Sequence, residues 1–313
     1  MTKFNRRRFI TLTAATSALA LTGGMSRPAE ALSWQGIALG ANASLTLMVD
    51  DRTYGRKVLQ DAIAELYRLE KIFSIFEPHS EISRLNQAGS LTAPSHEFLA
   101  LLSLVDSIHQ RTNGLFDPTV QSLYQLYRRH AGQPPRDRVD QVLKSIGFEK
   151  VSIRASGIAF RESGMAMTLN GIAQGFITDK IAADMKRAGF GNILLNLGEI
   201  RAEGRRDSHQ PWQVAIADPH DGNRAVFETA LENRAVATSA AAGLNFLLDP
   251  RSGQSAGHGA SLSVFANSAA LADGLSTALS LTTWTEAKRI AASFPDIAIV
   301  ARDRSGHFTR FNI

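Results

Sequence analysis

Amphipathic helical segments and strand-like segments follow one another along this chain without a regular β-α-β order. Residues 56–76 place apolar side chains at helical spacing, whereas residues 34–49 alternate as a single long strand would. A doubly wound parallel sheet needs strands and helices in regular alternation, which this pattern lacks. The sequence therefore predicts an α+β fold.

The chain contains no cysteine, which excludes disulfides, thiol nucleophiles and cysteine metal sites. The fold must therefore be stabilised by its hydrophobic core alone, and a chain of 313 residues is long enough to bury a large one. We predict one domain over residues 32–313.

Residues 1–31 are typical of an export signal. Paired arginines, Arg6-Arg7-Arg8, precede an apolar run over residues 10–23, and Pro28-Ala29-Glu30-Ala31 is a typical cleavage sequence. The apolar run is shorter than the roughly 20 residues that a membrane-spanning helix needs, which disfavours a permanent anchor. We predict a twin-arginine signal that directs the chain through the twin-arginine translocon to the periplasm, with cleavage after Ala31.

This segment accounts for most of the positive charge of the chain. The sequence has 34 Lys and Arg against 29 Asp and Glu. Five of the basic residues and one of the acidic residues lie in residues 1–31, which leaves 29 basic and 28 acidic residues in the predicted domain. A nearly neutral domain gives no support to a nucleic-acid partner, and we expect none.

Asp273 and Thr277 lie four residues apart in a segment that follows a strand-like run, residues 261–266. On a helix this spacing places the carboxylate and the hydroxyl on one face. Hard cations such as Mg²⁺ prefer oxygen ligands of this kind. The alternative is that Asp273 only complements the dipole at the start of its helix.

A second candidate site is the glycine-containing run Asn170-Gly171-Ile172-Ala173-Gln174-Gly175 at the start of a predicted helix. Glycines there allow the backbone to approach a ligand, and exposed N–H groups at a helix start favour phosphate. Close helix packing is the alternative. Thr238 and Ser239 offer two further hydroxyls, for a ligand or for a turn. No HExxH or Walker A motif is present.

Seven segments of the chain, in order, resemble the ApbE family of FAD:protein FMN transferases. They are residues 73–86, Gly114-Leu115-Phe116-Asp117-Pro118-Thr119-Val120, residues 168–175, Asn196-Leu197-Gly198-Glu199-Ile200-Arg201, residues 235–239, Asp249-Pro250-Arg251-Ser252-Gly253, and Ala272-Asp273 with Thr277. The twin-arginine signal and the sequence of residues 168–175 are most similar to those of the exported NosX-like branch, which is linked to nitrous-oxide respiration.

The resemblance implies a mixed α/β fold with antiparallel-rich sheets flanked by helices. It also implies that the chain binds FAD and Mg²⁺, and attaches FMN to a Thr or Ser of an acceptor flavoprotein such as a NosR-like one. By resemblance, the metal ligands are the Gly171 carbonyl, Asp273 and Thr277. The flavin-side residues implied in the same way are Phe76, Leu247 and Leu248, the adenine-side residues are Phe116, Asp117 and Pro118, and the remaining cofactor contacts are Thr168 and Gln174.

Three positions depart from the family pattern. Thr168 replaces the usual Asp, and Gln174 replaces the usual Lys or Glu. Phe246 stands where many members have a His that is thought to help activate the acceptor hydroxyl, and Phe cannot accept a proton. His258 and Asp273 are the remaining candidates for a catalytic role. Two alternatives to a transferase stay open: a non-catalytic flavin-binding or flavin-delivery protein, and a Mg²⁺-dependent FAD pyrophosphatase.

Overall fold

The computed structural model describes residues 30–207, 209–217, 224–240, 246–255, 261–303 and 305–313, together with the backbone of residues 10–11. Residues 1–9 and 12–29 of the predicted export signal lie outside the described residues. His258 lies outside them as well, so its predicted catalytic role stays a prediction.

An eight-stranded antiparallel sheet forms the centre of the fold. From one edge to the other its strands are β14 (Phe308–Phe311), β13 (Ala298–Arg302), β12 (Ser261–Ala266), β11 (Arg234–Ala240), β8 (Ile200–Glu203), β7 (Ile193–Asn196), β3 (Ala41–Val49) and β2 (Glu30–Ala38). Two three-stranded antiparallel sheets accompany it. One has the order β1 (Ile10–Thr11), β9 (Trp212–Ala217), β10 (Ala225–Leu231), and the other β4 (Ser90–Thr92), β6 (Gly157–Phe160), β5 (Val151–Arg154).

The prediction of one strand over residues 34–49 is wrong. Leu39 and Gly40 both have positive φ angles, 47° and 76°, and form a two-residue turn that reverses the chain between β2 and β3. Turns of this kind match the twist of paired strands. Because the alternation of side chains continues on both sides of the turn, the sequence pattern alone does not reveal the reversal.

Two hydrophobic cores cover the two faces of the central sheet. Successive residues of a strand point to opposite faces, so in β7 the side chains of Ile193 and Leu195 join the helical core while Leu194 joins the other. The second core packs the sheet against the β9–β10 hairpin, through residues such as Trp212 and Val214. The predicted α+β class with antiparallel sheets is confirmed.

Eight α-helices occur in the described part of the chain: α1 (Arg52–Phe73), α2 (Glu81–Ala88), α3 (His96–Arg111), α4 (Gln121–Arg129), α5 (Arg136–Leu143), α6 (Ala173–Arg187), α7 (Ala269–Leu279) and α8 (Trp284–Ala291). None of these helices is long and apolar enough to cross a membrane. Helices α1, α3, α6 and α7 contribute to the helical core. Packing of α6 and α7 side by side positions the site described next.

Candidate active site

A cleft lies where the glycine turn before α6, the end of β11 and the middle of α7 meet. It is lined by Val120, Gln121, Tyr124, Thr168, Asn170, Gly171, Gly198, Glu199, Thr238, Ser239, Ala240, Phe246, Leu247, Leu248, Asp273, Thr277 and Leu281. The cleft brings together Gly171, Asp273 and Thr277, the three residues predicted to hold a metal. It also includes Thr168, Leu247 and Leu248 from the predicted cofactor contacts.

Asp273 and Thr277 lie on the face of α7 that meets the glycine turn. The Asp273 side chain is 3% exposed, and its Oδ2 accepts a hydrogen bond from the backbone N–H of Gly175 at 3.2 Å. A β-carbon added at Gly171 would be 2.9 Å from the Thr277 hydroxyl oxygen. The two candidate sites, separated by about a hundred residues in sequence, are therefore one site.

The sequence of α7 explains this placement. Ser268 caps the helix, since its side chain accepts a hydrogen bond from the backbone N–H of Leu271. Ala272, Leu275 and Leu279 anchor the helix in the core, which leaves the face bearing Asp273 for the glycine turn. A buried carboxylate is costly unless it is hydrogen-bonded or paired, and at Asp273 the backbone N–H of Gly175 supplies part of that stabilisation.

Three hydroxyl groups cluster beside this carboxylate. The Ser239 hydroxyl lies 2.8 Å from that of Ser276 and 3.4 Å from that of Thr277. Ser276 in turn donates to the backbone carbonyl of Asp273 at 3.0 Å. Carboxylate, hydroxyl and carbonyl oxygens are donors that suit a hard cation, so the residues present fit Mg²⁺.

Gln174 lies below the cleft rather than in its lining. Its side chain is 1% exposed, and neither Oε1 nor Nε2 has a hydrogen-bond partner in the described part of the chain. The amide packs so closely on Gly198 that a β-carbon there would clash with it. A buried amide without a partner costs stability, which suits a group that awaits a ligand.

The predicted adenine-side residues Phe116, Asp117 and Pro118 are buried and lie outside the lining of this cleft. Asp117 Oδ1 accepts hydrogen bonds from the backbone N–H and the hydroxyl of Thr119, and Oδ2 accepts one from the N–H of Phe148. The Pro118 carbonyl accepts a hydrogen bond from Thr168 N–H at 2.8 Å and so links the segment to the cleft. Burial raises the pKa of the Asp117 carboxyl, although its hydrogen bonds and His109 oppose the shift.

His109, Asp117 and Glu149 place one ligand atom each within 4.8 Å of one another, beside a second cavity. His109 Nδ1 lies 2.9 Å from the Phe116 carbonyl and 3.6 Å from Asp117 Oδ2. A carbonyl accepts hydrogen bonds only, so Nδ1 carries the proton and donates to it. His109 and Asp117 thus form hydrogen bonds that stabilise the turn around Phe116.

Phe246 forms part of the cleft wall. Its ring lies 5.4 Å from that of Tyr127 and 6.2 Å from that of Tyr124. Tyr127 donates to the Gly253 carbonyl at 2.8 Å, and burial raises the pKa of its phenol. The position at which the family resemblance implies a proton-accepting His is thus occupied by an aromatic cluster.

Phe76, the predicted flavin contact, is 69% exposed and lies outside the cleft lining. The sequence patterns did not single out Gln121 and Tyr124, which α4 contributes to the cleft. Glu199, which belongs to one of the seven segments but was assigned no role, is 4% exposed there. Gln121 is buried in the first turn of α4, and its burial follows from tertiary packing rather than from a local pattern.

Comparisons with known proteins identify the family and the fold. The chain matches the ApbE family over residues 39–301. It is 27% identical over 287 residues to the FAD:protein FMN transferase of Vibrio cholerae, which covers 85% of each chain, and 29% identical over 231 residues to that of Haemophilus influenzae, which covers 66% of this chain and 67% of the relative. The crystal structure of the apo flavinyl transferase ApbE of Pseudomonas stutzeri superimposes with a TM-score of 0.79 at 22% identity, over 92% of this chain and 98% of that one.

The fold is a mixed α/β fold with antiparallel sheets flanked by helices, as in the solved ApbE structures. The chain belongs to the ApbE family.

Proposed function

We propose that this chain is an FAD:protein FMN transferase that requires Mg²⁺. The observation that carries the proposal is the contact of Gly171 with Thr277 beside the buried Asp273 carboxylate, in a cleft walled by Leu247 and Leu248. A flavin dinucleotide needs an apolar wall for its ring and positive charge for its pyrophosphate. The names of the relatives from Vibrio cholerae and Haemophilus influenzae support the same activity.

Asp273, Thr277 and the backbone carbonyl of Gly171 would hold the cation. When bound, Mg²⁺ would offset the negative charge on the pyrophosphate oxygens and polarise the phosphorus that is attacked. The N–H groups at the start of α6 add positive potential on the same side. Ser239, whose hydroxyl contacts those of Ser276 and Thr277, would hold the Thr277 side chain in position.

In the reaction, the hydroxyl oxygen of an acceptor Thr or Ser forms a bond to the phosphorus of the FMN half of FAD. The bond from this phosphorus to the bridging oxygen breaks, AMP leaves with that oxygen, and the hydroxyl proton passes to a base. Phe246 cannot serve as the base, so His258 and Asp273 remain the candidate side chains, and His258 is favoured because Asp273 would hold the cation. Such transfer depends mainly on positioning and charge neutralisation.

The location and the acceptor extend the proposal. The twin-arginine signal and residues 168–175 support an exported protein of the NosX-like type. Its acceptor would be a periplasmic or membrane-bound respiratory flavoprotein with an FMN-binding domain, of the NosR-like type. The glycine run and the export signal resemble those of the NosX-like branch, which is linked to nitrous-oxide respiration, and this resemblance supports the partner class.

The test combines the full chain, FAD, Mg²⁺ and an acceptor domain that contains the receiving Thr. The expected product is an acceptor band that fluoresces under ultraviolet light in a denaturing gel, with release of AMP. Asp273→Ala and removal of Mg²⁺ with a chelator should both abolish the band. Asp140→Ala is a control, because it removes an exposed carboxylate of α5 that pairs with Arg136 outside the cleft lining.

Two other results would each replace the proposal. Binding of FAD without any labelled acceptor would indicate a flavin-delivery protein. Release of AMP and free FMN in the absence of an acceptor would indicate an FAD pyrophosphatase. The aromatic packing of Phe246 is the observation that favours these alternatives.

A further inference from the structure

The first turn of α7 is capped by a side chain from another helix. Asp179, in the middle of α6, accepts hydrogen bonds from the backbone N–H of Ala269 to Oδ1, at 2.8 Å, and from that of Ala270 to Oδ2, at 3.0 Å. Oδ2 also accepts from the Ser268 hydroxyl at 2.7 Å. These N–H groups have no partner within their own helix, and the carboxylate lies at the positive end of the α7 dipole.

A second contact has the opposite direction: a side chain of α7 accepts a hydrogen bond from the first turn of α6. Helix α6 has no side-chain cap from its own preceding residue Ile172. Its third residue, Gly175, donates its N–H to Asp273 Oδ2 on α7. The two helices therefore cap each other through two aspartates, Asp179 on α6 and Asp273 on α7.

Between these two contacts the helix backbones touch. A β-carbon at Gly175 would clash with the carbonyl oxygen of Ala269 and with the Cα of Ala270. Gly175 and Asp179 are four residues apart and so lie on one face of α6. The glycine sets the distance between the helices, and Asp179 sets how far α7 is shifted along α6 and how it is rotated.

The charge of Asp179 is itself held in place. Arg201 on β8 lies 2.7 Å from Asp179 Oδ1 and also donates to the Asn267 carbonyl at 2.9 Å. Both side chains are largely buried, since 16% of Arg201 and 23% of Asp179 is exposed. A charge-assisted contact of this kind is stronger than one between neutral groups and has a defined geometry.

We propose that Asp179 is a positioning residue for the cation site: it fixes α7 in the register that places Asp273 and Thr277 against Gly171. Asp179 itself lies outside the cleft lining, so it would act through the placement of α7. The inference rests on the proposed function for the identity of the cation. It assigns to Asp179 a role that is distinct from stability alone.

The test measures binding of Mn²⁺, as a probe for Mg²⁺, to the full chain with FAD present, from the electron paramagnetic resonance signal of free Mn²⁺. Asp179→Ala should weaken binding by roughly 10- to 100-fold, the range seen when groups that orient metal ligands are removed. Asp51→Ala is the matched control: Asp51 caps α1 through two backbone N–H groups, of Thr53 and Tyr54, away from the cleft. It should lower the melting temperature through the loss of a helix cap and leave Mn²⁺ affinity unchanged.

Asp179→Asn keeps one acceptor oxygen, so its Mn²⁺ affinity should fall between those of the wild type and Asp179→Ala. In the transfer assay, saturating Mg²⁺ should restore most of the rate of Asp179→Ala and none of the rate of Asp273→Ala. Asp179→Ala that binds Mn²⁺ as the wild type does would overturn the proposal. If Asp179→Ala does not fold, wild-type Mn²⁺ affinity in both Asp179→Asn and Ser268→Ala would overturn it instead.

The two proposals fail in different ways. If the wild-type chain binds Mn²⁺ but transfers no FMN, the proposed transferase activity is contradicted. The effect of Asp179→Ala on Mn²⁺ affinity can then still be measured, and it tests the positioning role by itself. A wild-type chain that labels its acceptor, combined with unchanged Mn²⁺ binding in Asp179→Ala, contradicts the positioning role alone. A wild-type chain that binds no Mn²⁺ contradicts both.

Discussion

Gly171 and Thr277 lie so close together that a β-carbon on the glycine would be 2.9 Å from the threonine hydroxyl oxygen. The glycine is thus required for space, because no side chain fits between the turn and α7. This contact joins two segments that are far apart in sequence into one site. Any group added at Gly171 must displace the Thr277 side chain or the helix that carries it.

Gly171→Ala should therefore raise the Mg²⁺ concentration needed for half-maximal transfer by about 10-fold, while unfolding free energy falls by about 1 kcal/mol, at the low end for overpacking. The control is Gly191→Ala, since a β-carbon at Gly191 meets no atom within 4 Å. Titration of activity with Mg²⁺ and thermal melts of both variants provide the measurement. An unchanged Mg²⁺ requirement in Gly171→Ala would contradict a cation site at this contact.

Removal of the Thr277 hydroxyl tests the ligand itself. Thr277→Val keeps the shape of the side chain and removes the oxygen, so Mn²⁺ affinity should fall by at least 10-fold with a change in stability below about 1.5 kcal/mol. Thr277→Ser retains the hydroxyl and should keep affinity within about threefold of the wild type. Equal Mn²⁺ affinity in the two variants would show that the hydroxyl is not a ligand.

The local part of this site could be predicted from the sequence. The spacing of Asp273 and Thr277 defines one face of a helix whatever surrounds it. The cap of α3 is equally local, because the Ser95 side chain accepts a hydrogen bond from the backbone N–H of Phe98 three residues later. Features of this kind depend only on residues a few positions apart, so they can be predicted from a single sequence.

The remainder depends on contacts between distant residues. Asp179 and Ala269 are 90 residues apart, and nothing in the α6 segment alone indicates that its carboxylate caps another helix. The β2–β3 turn was missed because Leu39 adopts a positive φ that residues of its type rarely adopt. Contributions of α4 to the cleft likewise follow from tertiary packing.

The buried Gln174 amide predicts a conflict between stability and ligand binding. Gln174→Met has a similar size and removes two buried polar atoms that have no partner in the described part of the chain. Without FAD, its unfolding free energy should rise by about 1–2 kcal/mol. Its affinity for FAD should fall if the amide contacts the dinucleotide, as the resemblance implies.

Chemical unfolding without FAD and fluorescence titration with FAD measure the two effects separately. Gln125→Met provides a matched control, because Gln125 is an exposed glutamine on α4. Its unfolding free energy should change by less than about 0.5 kcal/mol and its FAD affinity should stay that of the wild type. Loss of stability in Gln174→Met would mean that the buried amide is satisfied in the apo protein.

Phe246→His tests whether the absent proton acceptor limits transfer. An imidazole at this position of the cleft wall should accelerate FMN transfer, by roughly 100-fold if it acts as a general base. Since the base must be unprotonated, the added rate should appear as pH rises through the ordinary histidine pKa of about 6.5, and the wild type should lack this rise. Stability should fall by about 0.5–1.5 kcal/mol, because the packing on Tyr124 and Tyr127 is lost.

Phe246→Leu is the control: it loses the same aromatic contacts without gaining a base, so it should lose stability and show no added rate at any pH. If Phe246→His and Phe246→Leu have the same pH–rate profile, the acceptor hydroxyl is activated from elsewhere, and the loss of the histidine does not limit this protein.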